Sequence, residues 1–280
     1  MPKYEEFIGL GIAGNFALHL AQAGELEEFK EIITAEEAAP KGIFPFYLPN
    51  STSKTAKKIL KTYPLSSNTL KLPKEDVNVQ AEPEVGLVCK IEYLNNQISK
   101  IIPTHFGAYN DASIRVAGAN KISDKKNWGA NSKGLSETLF AIDSFHNGGV
   151  LDDFSICSFL KRSGQTQAYG ENVTLTGYSY FYEKLTTWIT NQLNTQKDFG
   201  PLEPLGDYIA DSNYPTDLLI SIGATRYTEY GEKTFLQEDD AIIVIVYNSK
   251  KLSLEKVKNA IQTNNYDENL MSVLVQKVTK

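Results

Sequence analysis

Apolar and polar residues alternate with a period of two over residues 77–92. The odd positions from Val77 to Ile91 are all apolar, and the even positions are mostly polar, with Val88 the exception. Side chains on a strand point alternately to its two faces, so this pattern predicts a half-buried strand or strand pair. Pro83 has no N–H to donate, so we expect a bend or a sheet edge beside it.

The remaining pattern predicts many strands and few helices. Strand-like apolar runs cover residues 43–48, 100–116, 150–163, 165–170, 217–224 and 240–248. Helical patterns cover residues 14–30, 178–193 and the tail from Ser253, whose hydroxyl can cap a helix N-terminus. The chain lacks the regular strand–helix alternation of a parallel sheet, which favours a β-rich α+β fold. We expect a catalytic domain over residues 1–250 and a helical C-terminal extension over residues 251–280.

Composition narrows the classes of partner. The chain has 280 residues and a formal net charge of −6, which argues against a nucleic-acid partner because phosphate backbones bind basic surfaces. We interpret the short basic clusters Lys57-Lys58 and Lys125-Lys126 as solvated. We expect no signal peptide, no membrane span and a cytoplasmic location. Cys89 and Cys157 lie in apolar runs and are expected to be buried free thiols.

A glycine motif near the N-terminus suggests one function. Gly9, Gly11 and Gly14 fit the pattern G-x-G-x-x-G, which holds a pyrophosphate where a strand leads into a helix. No second strand that ends in a ribose-binding acid follows. Nucleotide binding through these glycines is therefore kept as an alternative to a tight turn.

The acidic residues suggest a different function, the binding of a metal ion. Glu82 and Glu84 share one face of a strand, about 6.5–7 Å apart at the backbone. Carboxylates this close repel, and a hard divalent cation would relieve the repulsion; the other interpretation is a solvated strand face. Asp111 lies in an aromatic, weakly charged run and needs a partner, which Arg115, a backbone cap or a metal can provide.

Three segments resemble one known family. QAEPEVGLVCKI, FGAYNDASIR and NWGANSKG, followed by a late glycine turn and a closing apolar strand, are similar to the fumarylacetoacetate hydrolase superfamily over roughly residues 7–248. The resemblance implies a mixed β-roll core with few helices, and a homodimer. It also implies a site for Mg²⁺ or Mn²⁺, with Ca²⁺ as a further candidate, and a small carboxylic acid as substrate.

The resemblance also assigns roles to residues. Glu82, Glu84 and Asp111 match the metal ligands, Lys133 the substrate-binding lysine and His19 the catalytic base. Substrate-binding candidates are Tyr109, Asn110, Arg115, Thr225 and Arg226.

The sequence departs from the family's pattern at two places. Gln22 replaces a glutamate that often accompanies the base, and Glu25 is a weak substitute one turn later. The late turn reads Gly223-Ala224-Thr225-Arg226-Tyr227 instead of Gly-Thr-Pro-x-Gly.

The sequence therefore favours a divalent-metal-dependent enzyme that acts on a 2-oxo or β-diketo acid. The reaction expected is C–C bond hydrolysis, decarboxylation or keto–enol isomerisation through an enolate. The first alternative is a non-catalytic metal- or acid-binding protein that has lost the base pair. The second is the nucleotide-binding protein.

Overall fold

A computed structural model describes residues 4–116 and 118–280. Its strands are β1 (Ile8–Ala13), β2 (Gly42–Tyr47), β3 (Leu65–Ser66), β4 (Thr69–Lys71), β5 (Asn78–Gln80), β6 (Pro83–Leu94), β7 (Gln97–Asn110), β8 (Ser113–Arg115), β9 (Lys133–Leu135), β10 (Phe140–Ala141), β11 (Phe154–Arg162), β12 (Gln165–Thr174), β13 (Asp217–Ser221), β14 (Ala241–Asn248) and β15 (Met271–Thr279). The α-helices are α1 (His19–Gln22), α2 (Tyr182–Thr195), α3 (Leu205–Asp211), α4 (Glu229–Glu232) and α5 (Leu254–Thr263). Short 3₁₀ helices cover Tyr4–Glu6, Leu26–Phe29, Lys58–Lys61, Ile122–Lys125, Val150–Asp153 and Leu175–Gly177.

Two mixed sheets dominate the described residues. An eight-stranded sheet has the order β2-β1-β13-β6-β7-β9-β3, with β10 also paired to β7. A five-stranded sheet has the order β12-β11-β14-β15-β4, and β5 pairs with β8. Leu87 on β6, Leu160 on β11 and Val244 on β14 belong to one buried apolar cluster, so the two sheets share a core. The predicted β-rich α+β fold is confirmed.

The alternating segment forms two strands, as the proline predicted. β5 ends at Gln80, β6 starts at Pro83, and the two strands belong to different sheets. The expected solvated face is absent from Pro83 to Cys89, where every residue is buried. Apolar clusters cover both faces of β6 here, one around Leu87 and the other around Val88.

The predicted helix over residues 14–30 is wrong for most of its length. Only α1 forms, followed by the 3₁₀ helix Leu26–Phe29. Leu18 before α1 and Gly24 after it both adopt the left-handed backbone, with φ of 69° and 72°. These two residues limit α1 to one turn.

The C-terminal tail is helical only in its first half. Ser253 caps α5, its hydroxyl accepting the Lys256 amide at 3.4 Å, as predicted. Residues 271–279 form strand β15, so a helix there is a wrong prediction. The alternating residues Val273 and Val275 favour strand over helix. β15 lies between β14 and β4; the division of the chain at residue 250 stays a prediction.

Both cysteines are buried and free, as the sequence predicted. Within residues 4–116 and 118–280, no helix has the length and apolar character needed to cross a membrane.

The glycine motif does not form the strand-to-helix turn that the nucleotide-binding alternative requires. Gly9 and Gly11 are interior residues of β1, and α1 begins only at His19. A Cβ at Gly11 would lie 2.3 Å from the Phe44 ring, and one at Gly9 would lie 2.3 Å from the Phe46 ring. These glycines give room to aromatic side chains of the neighbouring strand.

We expect Gly11→Ala to destabilise the protein by about 1–3 kcal/mol, because the added methyl group must displace the Phe44 ring. Urea unfolding measures the loss. Gly177→Ala is the control, since a Cβ there is 3.7 Å from its nearest neighbour and should change stability by less than about 0.5 kcal/mol. Equal stability of the two variants would contradict the packing role.

Candidate metal centre

The register between β6 and β7 brings three acids to one end of the central sheet. Glu84 at the start of β6 pairs with Tyr109 near the end of β7. Asp111 follows β7, and its amide donates to the Glu82 carbonyl at 2.9 Å. Glu82, Glu84 and Asp111 therefore meet, although they are distant in sequence.

These three carboxylates form a compact, buried triad. One oxygen from each lies within 4.8 Å of the others. Glu82 is 3% exposed, Glu84 1% and Asp111 0%. The interpretation as a solvated strand face is wrong, and the group of oxygens is close enough to hold one ion.

Three cations surround the triad. The Lys126 Nζ lies 2.6 Å from Glu82 Oε2 and 2.6 Å from Asp111 Oδ2. Arg115 Nη2 lies 2.8 Å from Glu82 Oε1, and Lys133 Nζ lies 3.2 Å from Asp111 Oδ1. Buried carboxylates are costly unless paired, and these contacts compensate two of the three acids.

The cations act unequally on the pKa values of the acids. Burial disfavours ionised Glu82, but Lys126 and Arg115 outweigh it and lower the pKa of that carboxyl. Burial raises the pKa of Asp111, which Lys126 and Lys133 offset only in part. Burial and the nearby Asp111 charge raise the pKa of Glu84 well above its ordinary value.

Glu84 is the acid without an ion partner. Its Oε2 accepts the Gly223 amide at 2.9 Å, but no lysine, arginine or histidine in residues 4–116 and 118–280 lies within salt-bridge distance of it. The φ of Gly223 is +108°, a conformation that favours glycine and that directs this turn over Glu84. A cation is therefore the group that this carboxylate lacks.

The donor chemistry of the triad fits a divalent cation. Glu82 Oε1 and both Asp111 carboxylate oxygens have lysine or arginine nitrogens as their partners, at 2.6–3.2 Å. Clustered carboxylate oxygens are the ligands that Mg²⁺ and Mn²⁺ prefer, and an ion there would take the place of these cations. Glu82, Glu84 and Asp111 are the residues that would hold the ion.

Lys133 is fully buried beside the triad. Its ammonium donates to the Ala112 carbonyl and lies 5.4 Å from the centre of the Trp128 ring. Burial lowers the pKa of Lys133 to about 8, against the opposing effect of Asp111. A lysine in this state retains its charge at neutral pH and can lose a proton more readily than a surface lysine.

Strand β15 anchors this side of the site. The Gln276 amide donates to the Lys133 carbonyl at 3.1 Å, and its oxygen accepts from the Asn110 amide at 2.9 Å. The Asn110 oxygen accepts the Glu82 backbone amide at 3.1 Å. Both ends of the Asn110 side chain are thus used within the fold.

His19 has a defined tautomer. Its Nδ1 lies 3.0 Å from the Thr225 carbonyl, which can only accept, so Nδ1 carries the hydrogen. The other nitrogen, Nε2, is buried and has no partner within the described residues. Burial lowers the pKa of His19, against the nearby charge of Glu82. The neutral ring therefore presents a free proton acceptor.

Among the residues that the structure describes, no acid hydrogen-bonds to His19. Gln22 accepts the Tyr227 amide at 2.9 Å and donates to the Tyr227 carbonyl at 3.2 Å. Glu25 is buried, and its Oε1 accepts from Arg115 Nη1 and Lys125 Nζ, each at 2.8 Å. The Thr225 carbonyl takes the place of the expected glutamate.

The other predicted substrate-binding residues differ in their surroundings. The Tyr109 hydroxyl is buried without a partner among the described residues, and the Thr225 hydroxyl donates to the Pro83 carbonyl at 3.3 Å. Arg226 pairs with Glu171 at 2.8 Å and lies over the Phe16 ring. Of these, Tyr109 offers a free polar group; the binding roles stay predictions.

Sequence reasoning missed Lys125 and Lys126. Lys125 is 2% exposed and Lys126 3% exposed, so their interpretation as solvated residues is wrong. Lys125 pairs with Glu25 and with Glu28, the latter at 2.7 Å. Their polar, loop-like surroundings in the sequence gave no signal of burial. The only available signal was that the acids of the site need positively charged partners.

Solved structures share this fold. A 2-keto-3-deoxyarabinonate dehydratase is 12% identical, with a TM-score of 0.55 over 98% of this chain and 74% of that chain. A complex of that dehydratase with magnesium and 2,5-dioxopentanoate is 13% identical, with a TM-score of 0.53 over 98% and 73%. A 5-carboxymethyl-2-hydroxymuconate delta-isomerase from Mycobacterium smegmatis is 12% identical, with a TM-score of 0.51 over 97% and 78%.

The chain shares the β-rich α+β fold of these structures. Within that fold class, the chain belongs to a family of unknown function, DUF5718, whose model matches residues 25–278. No curated protein matches the sequence.

Glu84→Gln should make stability less dependent on pH in the presence of a chelator. The folded protein holds the Glu84 proton more tightly than the unfolded chain does, so wild-type stability falls as pH rises above the ordinary carboxyl pKa of 4.5. Glutamine removes this contribution. Urea unfolding between about pH 5 and pH 8 should therefore show a growing advantage of Glu84→Gln over wild type.

Glu92→Gln is the matched control, because Glu92 is exposed on the same strand. Its pH dependence should equal that of wild type. If Glu84→Gln also follows the wild-type curve, the buried carboxyl does not titrate as described.

Proposed function

We propose that this protein is a divalent-metal-dependent enzyme that acts on a small 2-oxo or β-diketo carboxylic acid. One observation carries the proposal: three buried carboxylates, with oxygens within 4.8 Å of one another, lie beside a buried lysine of lowered pKa. A bound Mg²⁺ or Mn²⁺ would supply Lewis-acid stabilisation of an enolate oxygen. Ca²⁺, which also takes oxygen ligands, remains a further candidate.

The charge balance supports an anionic ligand. Five carboxylates face four cations at the site: Glu25, Glu28, Glu82, Glu84 and Asp111 against Arg115, Lys125, Lys126 and Lys133. A divalent ion added to this set leaves a surplus of positive charge in a low-dielectric site. A carboxylic acid that forms an enolate supplies the negative charge that offsets it.

The side chains divide the chemical work. Lys133 pairs with the substrate carboxylate or with the enolate oxygen. His19 moves a proton through Nε2, since the Thr225 carbonyl holds the proton on Nδ1. The free Tyr109 hydroxyl donates to a second substrate oxygen. Because the triad is buried, the residues that cover it must move before a substrate can reach it.

Among the three reactions, the surroundings of His19 favour decarboxylation or keto–enol isomerisation. Hydrolysis requires an activated water, and an acid beside the histidine would raise its basicity. Gln22 and Glu25 are both held by other groups. Proton transfer to or from carbon requires only the free Nε2.

A non-catalytic binding protein is the second candidate function. The observation that favours it is the same absence of an acid beside His19 among the residues that the structure describes. Such a protein would bind metal and a small acid without turnover. The homodimer and the cytoplasmic location stay predictions.

Wild-type protein should gain thermal stability with Mn²⁺ or Mg²⁺, and more when oxalate is added. A ligand that binds only the folded state adds about 2.7 kcal/mol at 100 times its Kd. Glu84→Gln should lose this gain, whereas Glu92→Gln should retain it. Differential scanning fluorimetry measures all three proteins, and an equal shift in Glu84→Gln and wild type would remove the triad as the binding site.

His19→Gln should abolish turnover and leave the metal- and oxalate-dependent stabilisation unchanged. The assay is release of CO₂, or loss of enol absorbance, over a panel of 2-oxo and β-diketo acids. His105→Gln is the control, because His105 is exposed. Metal binding without turnover in wild type would favour the non-catalytic candidate.

A further inference from the structure

The Lys126 ammonium occupies the space between two of the three acids. It lies 2.6 Å from an oxygen of Glu82 and 2.6 Å from an oxygen of Asp111. A divalent ion binds carboxylate oxygens at about 2.0–2.6 Å. An ion held by the same two oxygens would therefore overlap the ammonium, and the two cations exclude one another.

The backbone around Lys126 is fixed on both sides. Lys125 is paired with Glu25 and Glu28, and the Asn127 amide donates to the Phe46 carbonyl at 2.7 Å. These contacts hold the neighbours of Lys126 in place, so the side chain of Lys126 is the part that must move when a metal replaces its ammonium. The Phe44 ring, 5.0 Å from the ammonium, offers it an aromatic face.

We propose that Lys126 is a built-in competitor of the metal ion. In the metal-free protein its ammonium neutralises Glu82 and Asp111 and stabilises the fold. When a divalent ion binds, the ammonium leaves these oxygens. This inference rests on the proposed metal site and adds a residue that sets its affinity.

The competition links metal binding to anion binding. The ion then takes up the charge of the triad, and the displaced ammonium is left in a buried site without its carboxylate partners. An anionic ligand that enters with the metal offsets the charge of this ammonium. The wild-type protein should therefore bind Mn²⁺ weakly alone and more tightly with oxalate.

Lys126→Met tests the proposal, because methionine fills most of the space of lysine and lacks its charge. Titration calorimetry with Mn²⁺ should give a Kd about tenfold or more below that of wild type. Oxalate should strengthen Mn²⁺ binding less in the variant than in wild type. In chelator, the variant should melt at a lower temperature, since two buried carboxylates have lost a partner.

Two variants serve as controls. Lys126→Arg retains the charge and should bind Mn²⁺ no more tightly than wild type. Lys90→Met removes an exposed lysine from β6 and should leave the Kd unchanged. Should Lys126→Met fail to fold, Lys126→Gln replaces it, because its amide can donate to the same carboxylates without a charge.

Each result separates this inference from the proposed function. If wild type binds Mn²⁺ and the neutral variants bind it no more tightly, the competitor role is overturned and the metal site stands. If only the neutral variants bind, Lys126 excludes the metal and the metal-dependent function is overturned. If none binds, both fail.

Discussion

Three carboxylates buried at the junction of β6 and β7 impose the constraint on which the rest of the site depends. The sheet register brings them together, and burial makes their repulsion expensive. Lysines and an arginine from other segments compensate that cost. Lys126 reaches the triad from a loop, Lys133 from β9 and Arg115 from β8. Residues from three separate elements thus offset the electrostatic cost of the acids.

Much of the fold could be predicted because its signals are local. Alternation over residues 77–92 and the proline within it predicted β5, β6 and the break between them. The burial of both faces of β6 depends on the apolar clusters that pack on each side of the sheet, which no local pattern specifies. The tail was misassigned because the helical pattern after Ser253 was extended across the valines of β15. Tertiary packing determined the burial of β6, whereas the valines of β15 already favoured a strand.

The candidate site was predictable in its acids and only partly in its cations. Spacing placed Glu82 and Glu84 together, the weakly charged surroundings of Asp111 indicated a partner, and the resemblance added Lys133 and His19. Lys126 carries no motif, and its neighbour Lys125 makes the pair resemble a solvated cluster. The support of His19 by the Thr225 carbonyl was equally hidden, because every residue has a carbonyl. Such contacts depend on chain crossings that only three-dimensional structure displays.

Strand β15 gives the molecule a particular order of assembly. It pairs with β14 and β4, and Gln276 on it binds both Lys133 and Asn110 beside the triad. The five-stranded sheet and this side of the site therefore remain incomplete until residues 271–279 have joined. Contacts of such long sequence separation form slowly, because a large loop must close first. During synthesis on the ribosome, Glu82, Glu84 and Asp111 emerge long before β15, the strand whose Gln276 binds the residues beside them.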